Sequence, residues 1–94
     1  MVIGNPVIFQ CTVTHKEGNV IWSKDGVDLS QDVTITNGNQ QYSVIGNYSL
    51  GEYNLHIDDI TENEGGVYEC RVTAADNSPE IRAPPVILTV ERKL

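Results

Sequence analysis

This sequence predicts an all-β fold, a sandwich of two antiparallel sheets. Apolar residues recur at every second position in run after run, clusters of turn-forming residues separate the runs, and no segment holds a helical period. The chain has 94 residues, 39% of them hydrophobic. That suffices for one core, although small domains bury a low fraction of their surface and usually need reinforcement. Residues 1–94 therefore read as a single domain, and as a piece cut from a longer polypeptide.

The elements follow in order. Val7, Phe9, Cys11 and Val13 share one parity, with Ile8, Gln10, Thr12 and Thr14 on the other. Val20, Trp22 and Lys24 lie opposite Ile21 and Ser23. Weaker strands are expected near 28–36 and 41–45. Tyr53, Leu55 and Ile57 alternate with Glu52, Asn54, His56 and Asp58. Tyr68, Cys70, Val72 and Ala74 alternate with Glu69, Arg71 and Thr73, and Val86, Leu88 and Val90 alternate with Ile87 and Thr89. Glu17-Gly18-Asn19, Lys24-Asp25-Gly26, Asn37-Gly38-Asn39, Gly46-Asn47, Glu64-Gly65-Gly66 and Asp76-Asn77-Ser78-Pro79 supply the turns. Proline cannot donate to a ladder, so Pro84-Pro85 belongs at a sheet edge or a bulge.

Charge and motif content exclude several functions. Six Lys and Arg against 13 Asp and Glu give a net charge of −7, the wrong sign for a nucleic-acid backbone or an anionic membrane surface. No apolar run approaches the roughly 20 residues of a membrane span, and no secretory leader is recognisable. His15 and His56 fall in different elements with no partner at metal-ligand spacing, so both read as surface histidines. Asp58, Asp59, Glu62 and Glu64 lack the spacing of a calcium loop and read as a solvated turn. Gly65-Gly66 is followed by no Lys-Ser/Thr and no helix, so it is no phosphate cradle. Ser49 has no nucleophile elbow. No enzyme, cofactor or metal is expected.

The two cysteines, Cys11 and Cys70, are too far apart for a CxxC motif. Taken alone they are either two buried thiols or one disulfide. Both fall on inward parities, as does Trp22, and Tyr68 stands two residues before Cys70. Glu64-Gly65-Gly66-Val67-Tyr68-Glu69-Cys70 resembles the immunoglobulin-superfamily pattern Asp-x-Gly-x-Tyr-x-Cys, and Leu55-x-Ile57 and Leu88-x-Val90 match its strands E and G. The resemblance implies an immunoglobulin-like β-sandwich of the V/I-type set. It further implies one inter-sheet Cys11–Cys70 disulfide packed by Trp22, and a tyrosine corner at Tyr68. Two departures stand out. Glu64 replaces Asp, and Gln41-Tyr42 stands where an Arg is expected, so a neutral hydrogen bond is the alternative to the family salt bridge.

At finer grain the chain resembles the first immunoglobulin domain of nephrin-type receptors in the nephrin–Neph (Kirre/Roughest) adhesion family, which includes nematode synapse-specifying members. Val20-Ile21-Trp22-Ser23-Lys24-Asp25-Gly26 resembles the family's strand C. Tyr42-Ser43-Val44-Ile45-Gly46 with Gly51-Glu52-Tyr53-Asn54-Leu55-His56-Ile57 resembles its D–E hairpin, and Pro79-Glu80-Ile81 with Pro85-Val86-Ile87-Leu88 resembles the nephrin-type strand G. The resemblance implies a membrane-anchored type I receptor with this domain on the extracellular side. It implies binding through the GFCC′ sheet to a Neph/Kirre/Roughest-type ectodomain, heterophilic and at most weakly homophilic, in cell–cell recognition such as synapse specification. Repulsion between two copies at −7 fits a heterophilic pairing.

Alternation then nominates the interface. Ile21, Ile87 and Pro84-Pro85, with Leu29 beside them, are expected as an apolar patch. Ser23, Gln31, Glu69, Arg71 and Thr73 are expected to set its polarity and register. Asn47-Tyr48-Ser49 is the one Asn-x-Ser/Thr sequon and marks Asn47 for glycosylation, in an exposed D–E turn on the opposite sheet. The alternative function is an intracellular structural module of the muscle-filament kind with reduced cysteines. An immune-type or secreted decoy receptor domain is a third reading.

Overall fold

The computed structural model of the chain describes residues 6–14, 18–75 and 79–90. His15 and most of the turn 76–79 lie outside the described residues. Among the described residues ten strands form: β1 (Val7–Phe9), β2 (Val20–Lys24), β3 (Val27–Asp28), β4 (Ser30–Gln31), β5 (Thr34–Ile35), β6 (Tyr42–Ile45), β7 (Asn54–Ile57), β8 (Gly66–Val72), β9 (Ile81–Arg82) and β10 (Val86–Leu88). One sheet has the order β1-β7-β6. The second runs β10-β8-β2-β3 with β9 also on β8, and β4 and β5 pair as a separate hairpin. All pairings are antiparallel. The sandwich and its two-layer topology are those expected from the alternating runs.

Between the sheets lie Val20, Trp22, Leu55, Ile57, Ile60 and Tyr68, all essentially free of solvent contact. Cys11 and Cys70 form a disulfide with 6.4 Å between their Cα atoms, joining the layer of β1 to that of β8. Cys70 is the register partner of Trp22, and both belong to the same core cluster. The indole N–H donates to the Tyr53 carbonyl at 2.8 Å, so the core's large polar-tipped aromatic leaves no donor unmet.

The tyrosine corner is present. The Tyr68 hydroxyl donates to the Glu64 carbonyl at 2.6 Å. Glu64 closes a capping box over the 3-10 turn Glu62–Glu64, its carboxylate accepting from the Thr61 N–H at 2.8 Å and the Thr61 hydroxyl at 2.9 Å. Gln41 Nε2 donates to the same carboxylate at 3.1 Å. The hydrogen bond from a neutral amide thus stands where the family places an Arg–Asp ion pair. Glu64 is therefore buried, while Asp58, Asp59 and Glu62 are the solvated part of that corner.

Pro84 and Pro85 fall in a bulge. Register runs Arg71 to Arg82 on one side and Tyr68 to Val86 on the other. Three residues of the outer strand (83–85) therefore oppose two of β8, a one-residue excess. The Ala83 N–H still reaches the Cys70 carbonyl at 2.9 Å, and the prolines take positions that ask for no donor.

Candidate functional site

The outer face of the five-stranded sheet is set by register. Ile21 pairs with Arg71 and Ser23 with Glu69 across β2 and β8; Ser23 pairs with Asp28 across β2 and β3. Arg71 also pairs with Arg82 on β9, and Ile87 on β10 pairs with Val67. These side chains share one face because directly opposed residues point the same way. Ser23, Gly26, Asp28, Val67, Glu69, Arg71 and Arg82 line a depression of about 290 Å³ on it.

Electrostatics organise that depression. Two arginines stand opposite each other on neighbouring strands, an arrangement that is repulsive by itself. Three carboxylates relieve it. Arg71 Nη1 lies 3.0 Å from Asp28 Oδ1, and Arg71 Nη2 donates to Asp28 Oδ2 at 3.2 Å, a bidentate pair. Glu80 sits 3.5 Å from Arg71 Nε and 2.9 Å from Arg82 Nη2, and Arg82 is also paired with Glu69. The cluster carries two positive and three negative charges.

This network changes the surface expected from alternation. To reach Asp28 on β3, the Arg71 side chain must leave β8 and cross β2, over Ile21 and Ser23. Ile21 accordingly points outward, as its parity requires, yet keeps only 7% of its surface, and Ser23 keeps 4%. The apolar patch expected from Ile21 is therefore covered by the protein's own arginine. Leu29 is a second correction: its N–H donates to the Trp22 carbonyl at 2.7 Å, which puts it opposite Trp22, and it packs in the core at 4% exposure. The exposed apolar part of the face is Ile87 at 72%, with Val67 at 40% beside it and Pro85 exposed at the bulge.

The remaining nominated residues are divided. Glu69 and Arg71 belong to the depression. Gln31 is exposed at the β4–β5 hairpin, paired with Thr34. Thr73, half-buried, closes the far end of the sheet: its hydroxyl accepts from the Asn19 N–H at 2.9 Å and its own N–H donates to the Asn19 carbonyl at 2.9 Å. Asn47 is exposed in the β6–β7 connection, on the opposite sheet. Asp28, Val67, Glu80 and Arg82 are site residues that alternation did not nominate. The Asp25-Gly26 turn was the available signal for Asp28, because a two-residue turn after Lys24 puts Asp28 across from Ser23. Among the described residues no cluster of three His, Cys, Asp or Glu could hold a metal ion.

Residues 1–73 match the family model described as immunoglobulin domain. The chain is 34% identical to human nephrin over 90 residues, covering 96% of this chain and 7% of nephrin. It is 31% identical to the synaptogenesis protein syg-1 of Caenorhabditis elegans over 90 residues, covering 94% of this chain and 12% of that protein. The solved D1–D2 structure of Rst superposes with a TM-score of 0.90 at 29% identity, over 97% of this chain and 44% of that one. The chain therefore spans about a tenth of the length of these full-length relatives, and the identities lie too close together to assign it to one branch. The sandwich, its buried disulfide and these likenesses agree: the chain belongs to the immunoglobulin-domain family, which is not enzymatic, and within it resembles the domains of the nephrin-family adhesion receptors.

Proposed function

We propose that this chain is the recognition domain of a longer, membrane-anchored ectodomain, and that it binds another immunoglobulin-superfamily ectodomain between cells through the outer face of the β10-β8-β2-β3 sheet. The observation that carries the reading is the Ser23–Asp28–Arg71–Arg82 depression with Ile87 and Val67 at its margin. A polar, ion-paired centre beside a few exposed apolar side chains offers both register and burial to a partner. The excess negative charge over the chain favours a partner other than a second copy, and the likeness to the nephrin-family receptors as a group supports a partner from that family, which we take as the Neph/Kirre/Roughest type. The Cys11–Cys70 disulfide supports an extracellular location, because such bonds persist in oxidising compartments.

A binding screen tests this. The oxidised chain, immobilised and presented with nephrin-type and Neph-type ectodomains and with itself, is expected to retain a Neph-type partner and to show at most weak self-association. Retention of none of them contradicts the proposal. The intracellular muscle-type alternative requires two free thiols in the denatured, unreduced protein, and a thiol titration is expected to find none.

A further inference from the structure

The connection 46–53 between β6 and β7 contains a 3-10 turn, Tyr48–Leu50, led by Asn47. Its geometry is tightly held. The Asn47 N–H donates to Glu52 Oε1 at 2.9 Å, and the Glu52 N–H donates to the Asn47 carbonyl at 3.1 Å. Gly51 has φ +81°, and a Cβ there would stand 2.1 Å from the Val13 carbonyl oxygen, so only glycine closes the turn. The Asn47 side-chain oxygen accepts twice, from the Ser49 N–H at 3.2 Å and from the Ser49 hydroxyl at 3.0 Å. Its amide nitrogen, Nδ2, hydrogen-bonds none of the described residues and is the free end of an exposed side chain.

We infer that Asn47 is an N-glycosylation site. The inference rests on the extracellular reading above, because the transfer requires entry into the secretory pathway. Asn-x-Ser/Thr triplets arise often by chance, and three structural facts lift this one above that background. The hydroxyl of Ser49 is hydrogen-bonded to the very amide it marks. Residues 46–50 are all exposed. The turn also leaves from the β1-β7-β6 sheet, so an oligosaccharide there does not cover the depression around Arg71. In the transfer, Nδ2 forms a bond to the anomeric carbon of a lipid-pyrophosphate-linked oligosaccharide. The carbon–oxygen bond to the pyrophosphate breaks with its electron pair, and one amide proton is released. The attached sugar stands next to Tyr48 and Leu50, which are 43% and 67% exposed, and it shields apolar surface that the fold leaves uncovered.

The experiment is secretion of the chain from animal cells behind a signal peptide, followed by mass analysis of the Asn47 peptide before and after enzymatic release of the glycan. The expected result is an oligosaccharide on Asn47 and its conversion to aspartate on release. Ser49→Thr keeps the modification, while Ser49→Ala and Asn47→Gln lose it. The Ser49 variants leave the Asn47 backbone bonds in place, so a folding defect in Asn47→Gln does not decide the outcome. A secreted chain with its Cys11–Cys70 disulfide formed and Asn47 bare overturns the glycosylation and leaves the extracellular reading standing. A chain retained inside the cell with both thiols free overturns both.

Discussion

Tyr68 is fully buried, and its hydroxyl donates to the Glu64 carbonyl while meeting the Tyr42 hydroxyl at 3.3 Å. Tyr68→Phe strands that carbonyl without a donor. The expected cost is about 1–3 kcal/mol, read as a lower urea midpoint with an unchanged slope. The titration of these side chains is expected to make stability depend on pH. Burial pushes the Tyr68 phenol far above its ordinary range, and the neighbouring Tyr42, Glu64 and Asp25 push the same way. Burial raises Tyr42 as well. Above about pH 10 the unfolded chain releases phenolic protons that the folded chain retains, so stability is expected to fall as pH rises past that point. Glu64 works in the opposite sense. Burial raises its carboxyl, but the bonds from Thr61 and Gln41 and the charge of Lys24 outweigh it and hold the group below its usual range. The stability it contributes is complete above the unfolded carboxylate range and is lost as pH falls through the folded value. Thermal unfolding of Glu64→Gln is therefore expected to show a lower midpoint at pH 7 and a flatter acid limb than the parent.

At the scale of elements, the short turn Glu62–Glu64 depends on its cap. Thr61→Ala removes the hydroxyl that accepts from Asn63 N–H and donates to Glu64, and is expected to cost about 1 kcal/mol. What was legible in the sequence also divides by element. β2, β7 and β8 are long enough for period-two patterning to show, and their inward residues, Trp22, Leu55, Ile57, Tyr68 and Cys70, pack as the alternation requires. β3 and β4 have two residues each, too few to display a period, and the parity of Leu29 was set by the preceding turn. Parity also fails beyond strand ends: Ala74, past the end of β8, is exposed. In the last strand Val86 faces inward opposite Tyr68 but sits on the bulged edge, 38% exposed. The covering of Ile21 was not readable at all. It follows from an arginine on β8 reaching a carboxylate on β3, a pairing across 43 residues of sequence that no local pattern encodes. The same long reach conceals Arg82 and Glu80 as members of the site.

Over the whole molecule, one covalent bond and one face do most to define what the chain is. The disulfide spans 59 residues, and closing a loop of that size removes about 4 kcal/mol of unfolded-state entropy. Reduction under native conditions is expected to lower the unfolding midpoint steeply, and an unchanged midpoint would mean that the core holds without it. The charges at the centre of the outer face are ion-paired with one another, so its affinity for a partner is expected to rest on burial at Ile87 more than on unpaired charge. Substituting Ile21 would confound binding with stability, because that side chain is buried. Ile87, largely in solvent, separates the two. The decisive measurement is surface plasmon resonance of a Neph-type ectodomain against two variants, Ile87→Asp on this face and Ile8→Asp on the opposite sheet, where Ile8 is 52% exposed. Ile87→Asp is expected to weaken binding at least about tenfold, equivalent to about 1.4 kcal/mol, with thermal unfolding unchanged, while Ile8→Asp binds as the parent does. Full binding by the Ile87 variant together with loss in the Ile8 variant would place recognition on the other sheet and contradict the assignment.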